Sequence, residues 1–215
     1  MDNLHSSESQ HLIEVIDNHL QDFTEDDEVI VFHETETSKV HTDIFWIKPN
    51  LEYRPYSILM TCGLSTKPMK IPEDVKYKYA EVVMLLPKEW ELENGKWKEN
   101  KNKWPLDHLR KIAKIPYETN SWIGFGHTII HDPTNNKCFP NTNFNSSVIL
   151  SSKTLPDAFT KIKFNDDTIR VYTAIPLYPE ELEYKLNNDA NALVDKFIEF
   201  NVEEIVNPNR ANTCK

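Results

Sequence analysis

His41 and Asp43 stand two residues apart in the run VHTDIFWI at 40–47. In an extended chain residues i and i+2 share a face, so the two side chains meet as an imidazole and carboxylate pair, the arrangement of a general base held by its orienting partner. Cys62, between Thr61 and Gly63 at the end of another β-rich run, would complete a nucleophilic site if its thiol ionised. Each residue also has a plainer reading. Polar pairs commonly tie a neighbouring loop to backbone groups, and a cysteine at a strand end commonly packs as a small hydrophobe. No pattern identifies a nucleophile. The chain is therefore read as non-catalytic, with an enzyme of unrecognised type centred on His41, Asp43 and Cys62 as an alternative.

Spacing excludes several other chemistries. His127 and His131 have the i, i+4 separation that suits two zinc ligands on a helix, but HTIIH lies in a β-like segment, where four residues span roughly 13 Å. His33-Glu34 opens like H-E-x-x-H, yet position 37 is Thr. These histidines are read as structural or surface groups, and neither a metal nor a cofactor is expected. Glycine occurs only at 63, 95, 124 and 126, so neither a Walker loop nor a complete dinucleotide fingerprint can be written; Ile129 stands where Gly124-Phe125-Gly126 would need its third glycine. A G-x-S-x-G elbow fails as well, because Lys67 occupies its second glycine position.

The elements that carry these residues follow from periodicity. Leu12, Ile13, Ile16, Leu20 and Phe23 recur at helical spacing and predict an amphipathic helix over 7–23. Runs at 29–34, 40–47 and 55–63, rich in β-branched and aromatic residues, predict three strands. YAEVVMLLP at 79–87 predicts a fourth, buried on both faces. ELENGKWKENKNKW at 91–104 reads as a solvated connection, followed by a helix over 104–116 with Pro105 in its first position and Leu106, Leu109, Ile112 and Ala113 on its buried face. Further strands are expected at 121–131, 146–152 and 168–177, and helices at 179–186 and 190–200, the last with Leu193, Phe197 and Phe200 inside. This order is not regular βαβ alternation. It points to α+β architecture, a mixed and largely antiparallel sheet flanked by helices.

Composition narrows the class of partner. With 39% hydrophobic and 27% charged residues over 215 positions the chain resembles a soluble globular protein, and 24 basic against 34 acidic residues leave a net charge of −10. Neither nucleic acid nor an anionic membrane attracts such a surface unspecifically, whereas a basic protein or peptide is attracted. Residues 21–38 hold Asp22, Glu25, Asp26, Asp27, Glu28, Glu34 and Glu36 with no Lys or Arg, so Asp26, Asp27 and Glu28 are candidate contacts. Trp90 and Trp97 flank the charged connection. They are either an exposed binding hot spot or part of a loop folded back over its own core. Cys62, Cys138 and Cys214 are odd in number and widely spaced, no secretory signal or long apolar run occurs, and the expected compartment is the cytoplasm.

In order along the chain, HTDIFWIKP at 41–49, SILMTCGLSTKPM at 57–69, YAEVVMLLPKEW at 79–90, WPLDHLRKIAKIP at 104–116 and WIGFGHTII at 122–130 resemble the suppressor-of-fused domain family. They supply a His-containing strand, a T-x-G-x-S turn, an E-hydrophobic-LP-x-W strand, a WP-x-x-x-L helix and a G-H strand. ILSSKTLPDAF at 149–159 and EELEYKL at 180–186 continue the pattern, and Arg210 stands near the family's terminal acidic-x-x-Arg, with Asn207 in place of the usual Asp. The resemblance implies one suppressor-of-fused-like domain over 1–215, clearest over 35–210, and a non-catalytic protein-binding module. Compact bacterial members of this length look like immunity proteins that neutralise a cognate polymorphic toxin, often a nuclease, so a toxin is the expected partner, met by a monomer or homodimer. His41, Asp43, Trp104 and His127 are the family-pattern residues placed around a peptide groove. A regulator that sequesters an extended peptide by strand pairing is the alternative within the binding class.

Overall fold

The computed structural model describes residues 7–24, 27–35 and 40–215, with side chains from Gln10. Helix α1 (Ser7–Thr24) leads into strands β1 (Val29–Phe32), β2 (Asp43–Ile47), β3 (Tyr56–Cys62) and β4 (Tyr79–Pro87). Helix α2 (Asn100–Glu118) follows, then β5 (Thr128–Ile130), β6 (Ser146–Leu150), β7 (Lys161–Phe164), β8 (Asp167–Leu177), α3 (Pro179–Asn187) and α4 (Ala190–Glu199). The strands form an eight-stranded sheet in the order β1-β2-β3-β4-β8-β6-β5, with β7 paired to β8 off this path. All pairs are antiparallel except β4 with β8, so the mixed, largely antiparallel α+β sheet read from the sequence is the observed one.

Side-chain alternation divides the core between the two faces. On β4, Ala80, Val82, Met84 and Leu86 point into the cluster under α2, where they meet Leu106, Leu109, Ile112 and Ala113. Val83 and Leu85 point the other way, into a cluster closed by Leu12, Ile16 and Leu20 of α1. Farther along that second face, Val148, Leu150, Ile175 and Leu177 pack on Leu182 of α3 and on Leu193 and Phe197 of α4. The buried run of β4 is thus explained: it is a central strand with helices on both sides. Among the described residues no helix is long and apolar enough to cross a membrane.

Four details depart from the sequence reading. Helix α2 begins at Asn100, so Pro105 lies inside it and not at its first position; the amides of Asn102 and Lys103 both donate to the Glu99 carbonyl and start the helix upstream. The expected strand at 121–131 shrinks to Thr128–Ile130, because Gly126 takes a left-handed φ of +85° and turns residues 121–127 into a loop. Strand β7 was not anticipated. It is the first arm of a hairpin closed by Asn165-Asp166, with Phe164 opposite Asp167 and Asn165 at φ +52°. Ile13, Phe23 and Phe200, placed in apolar stripes by periodicity, are exposed, since each lies at the margin of the face its helix buries.

α2 is held to the sheet by polar as well as apolar contacts. Fully buried His108 places Nε2 2.7 Å from Ser147 Oγ on β6. Burial pushes its imidazole down to about 3, with Lys111 and His131 adding to the effect. The unfolded chain therefore takes up a proton that the folded protein refuses, and stability falls as pH drops below about 6.5. Urea unfolding at pH 7 and pH 4.5 should show the wild type losing about 2 to 3 kcal/mol more over this interval than His108→Gln. Equal losses in the two proteins would exclude this assignment.

Candidate functional site

The imidazole and carboxylate pair forms: His41 Nε2 lies 2.9 Å from Asp43 Oδ1. Asp43 is shared, because its Oδ2 lies 3.0 Å from His33 Nδ1 and its Oδ1 accepts the Glu34 amide at 2.9 Å. Buried Glu34 accepts the Thr42 amide at 2.9 Å and pairs with Lys114 of α2. These contacts fasten residues 33–35 to residues 41–43. Cys62 faces Asp43 in the β2–β3 register but is buried in the α1 cluster. Burial, then the carboxylates of Glu81, Asp43 and Asp17, push its thiol well up, which keeps it protonated and a poor nucleophile. Among the described residues no group of three or more His, Cys, Asp or Glu is arranged to hold a metal ion.

The group that organises this end of the sheet is one that the sequence reading passed over. Glu81, with no exposed surface, sits in the apolar run of β4 and accepts hydrogen bonds from Thr61 Oγ1, from the amides of Gly63 (3.1 Å) and Ser65 (3.0 Å), and from Ser65 Oγ. These donors are the T-x-G-x-S turn. Burial raises the carboxyl above its ordinary value, and the four hydrogen bonds oppose that rise. Gly63 has φ +145°, and a Cβ there would lie 2.2 Å from the His41 carbonyl oxygen. From α2, Tyr117 donates to the carbonyls of Leu64 and Lys67. The turn is thereby tied to β2, β4 and α2 together.

The other candidate contacts are dispersed. Asp27 turns inward, 2.6 Å from Arg54 and accepting from Asn50 at 3.0 Å, whereas Glu28 is exposed and 2.9 Å from Lys48; Asp26 lies outside the described residues. Trp90 is half-buried, donating to the Asn102 carbonyl at 3.1 Å with its ring edge-on to Trp104, and Trp97 packs 5.4 Å from Phe32. Both rings lie against the α2 cluster, the position of a loop folded over its own core. Asp27 and Glu28 are at the β2–β3 hairpin, His41 and Asp43 at the opposite end of β2, and His127 beyond both, next to β5 at the other edge of the sheet.

That edge carries a groove. A cavity of about 610 Å³ runs between α2 and β5, lined by Ile115, Trp122, His127, Thr128 and Ile130 among others, with Lys111 and Lys185 as its charged members. The Trp122 and His127 rings are 4.1 Å apart, and burial lowers the His127 imidazole, so it is neutral at pH 7. The His127 carbonyl accepts from Ile149, and the His131 amide donates to Asn145, so these alternate residues bond β6. The backbone groups of Thr128 and Ile130 therefore face outward. α2 also reaches the far edge of the sheet. Arg110 donates to the carbonyl of Phe32, the last residue of β1, at 2.8 Å, while its neighbour Lys111 donates to the Ile130 and His131 carbonyls at 2.8 and 2.7 Å. One helix thus spans the curl of the sheet and pins both edges.

Behind the groove, Arg210 finds an acidic partner that its local motif lacks. Its guanidinium grips buried Glu181 of α3 through two bonds of 2.6 and 2.5 Å and also donates to the Pro176 carbonyl at 2.9 Å. It lies over the rings of Phe144, Tyr178 and Phe197. With Asn207 in the expected acidic place, the ion pair runs instead to Glu181 in the first turn of α3.

A sheet with one parallel pair at its centre, helices on both faces and an open, short edge strand defines the class. The sequence model described as Suppressor of fused protein (SUFU) matches residues 38–211, and the chain belongs to that family. No curated protein matches it. Among solved structures, a SUFU homologue from Neisseria gonorrhoeae FA 1090 is similar over 95% of this chain and 97% of its own, with 16% identity and TM-score 0.69. A chain of the Sufu–Fu complex matches at 14% identity over 94% and 91% of the two chains, TM-score 0.65. Drosophila Suppressor of Fused matches at 13% identity and TM-score 0.64 over 94% of this chain but 51% of its own. These structures share the fold.

Two substitutions test the internal architecture. Glu81→Ala strands two buried amides and two hydroxyls and should lower unfolding free energy by at least about 3 kcal/mol in a denaturant titration. Arg210→Met leaves Glu181 buried and unpaired and should lower it by about 3 to 5 kcal/mol. A loss below about 1 kcal/mol in either protein would show that its network is dispensable.

Proposed function

We propose that the protein is a non-catalytic binding module that takes up an extended segment of a partner protein along the free edge of β5. The observation that carries this reading is the outward-facing backbone of Thr128 and Ile130, opening onto a groove floored by Trp122 and Ile115. An edge strand supplies main-chain affinity, and pockets beside it supply side-chain selectivity. The protonated, buried Cys62 and the structural use of Asp43 support a non-catalytic role.

The biological setting we propose is that of a cytoplasmic immunity protein whose partner is a cognate toxin. The fold match along nearly the whole length of a bacterial homologue supports it. The outer faces of α3 and α4, with Glu183, Asp195 and Glu199 exposed, would steer the basic body of such a partner while the groove takes its segment. Co-expression with a toxin encoded beside the gene should give a co-purifying complex and rescue growth; neither happening would exclude the immunity role. Thr128→Pro removes one outward amide without breaking the ladder to β6, because proline is tolerated on the open side of an edge strand. It should abolish capture while leaving the melting temperature within about 5 °C of wild type. A variant that still captures the partner would remove β5 from the interface.

A further inference from the structure

The chain carries a net charge of −10, yet the groove along β5 has the opposite sign: Lys111 and Lys185 line it and no carboxylate does. Lys111 is half-buried and bonded to carbonyls, not to an acid. The carboxylate acting on it, Asp132, is occupied by the amides of Thr134 and Asn135 and by the Asn135 side chain. Burial accordingly lowers the affinity of the Lys111 amine for its proton. Lys185, across the groove, acts on His127 in the same direction and helps keep that imidazole neutral.

A strand that pairs with β5 must donate to the Ile130 carbonyl, and Lys111 already occupies that acceptor. Entry therefore brings a strand against that ammonium and removes water from it, which is unfavourable unless the incoming strand supplies a partner. A carboxylate on the same strand does so through a charge-assisted hydrogen bond. Side chains of such a strand point alternately to the α2 side, where Lys111, Ile115 and Trp122 lie, and to the α3 side, where Lys185 lies.

Building on the capture reading above, we propose that the segment taken up by β5 is an extended acidic one, with one carboxylate engaging Lys111 on the α2 side and another engaging Lys185 on the α3 side. Lys111 then has two duties: it covers the open edge in the free protein, as lysines on edge strands do, and selects the occupant.

A random peptide library displayed on phage, selected on the wild type, on Thr128→Pro and on Lys111→Glu/Lys185→Glu, tests this. Wild-type protein should enrich sequences rich in Asp or Glu. The charge-reversed protein should enrich Lys or Arg instead, and bind the wild-type selectants at least about tenfold more weakly. Lys185→Glu alone, which touches no strand carbonyl, provides the same readout if the double variant does not fold. Selectants that depend on Thr128 but show no acidic bias, or a bias that survives charge reversal, would overturn the acidic-segment inference and leave capture by β5 standing. No enrichment, or enrichment indifferent to Thr128→Pro, would overturn capture by β5 and this inference with it.

Discussion

A carboxylate without solvent, Glu81, is the constraint around which the N-terminal half of the sheet is arranged. Its desolvation is tolerable only if donors converge on it, and they come from one turn whose sequence places Thr61, Gly63 and Ser65 in reach. The turn can lie that close to β2 because Gly63 carries no Cβ to strike the His41 carbonyl. His41 is thereby set beside Asp43, and Tyr117 of α2 closes the turn from the other side. The residues that most resemble a catalytic pair are thus the outer layer of a structural network centred on a buried acid.

α2 performs the corresponding task for the sheet as a whole. Adjacent cations, Arg110 and Lys111, reach opposite edges, and their targets are main-chain carbonyls. Charge of one sign is placed where unpaired strand edges would otherwise be open to indiscriminate pairing. The bulk charge of the protein says nothing about this placement. Of the four described acids at 21–38, three are internally matched, Asp27 by Arg54, Glu28 by Lys48 and Glu34 by Lys114, while no carboxylate lines the β5 groove beside its two lysines.

How much of this was legible depended on whether the signal is local. The apolar periods of α1 and α4 and the unbroken run of β4 follow from burial of one or two faces and were readable directly. The first turn of α2 was not, because Asn100 to Lys103 carry no apolar period and Pro105 looks like a start signal. β7 was missed although Lys161-Ile162-Lys163-Phe164 alternates and Asn165-Asp166 is a two-residue turn; the strand is short and its exposed lysines read as loop. A lone Glu in an apolar strand, with a T-x-G-x-S turn elsewhere, was the available trace of the Glu81 network. What joins them is tertiary pairing, as it is for Arg210 and Glu181 and for which strands lie at the edges.

The parallel pair at the centre of the sheet also bears on how the protein is made. β1 to β4 can assemble as a meander of near neighbours, but β4 waits for β8, ninety residues away where Val83 pairs with Thr173, before its second edge is covered. Contacts so distant in sequence slow folding because the loop between them must be closed first. During that interval both strands present bare edges, and no cation of α2 reaches them. The molecule's hazard of misassembly therefore lies at its middle and in its youth.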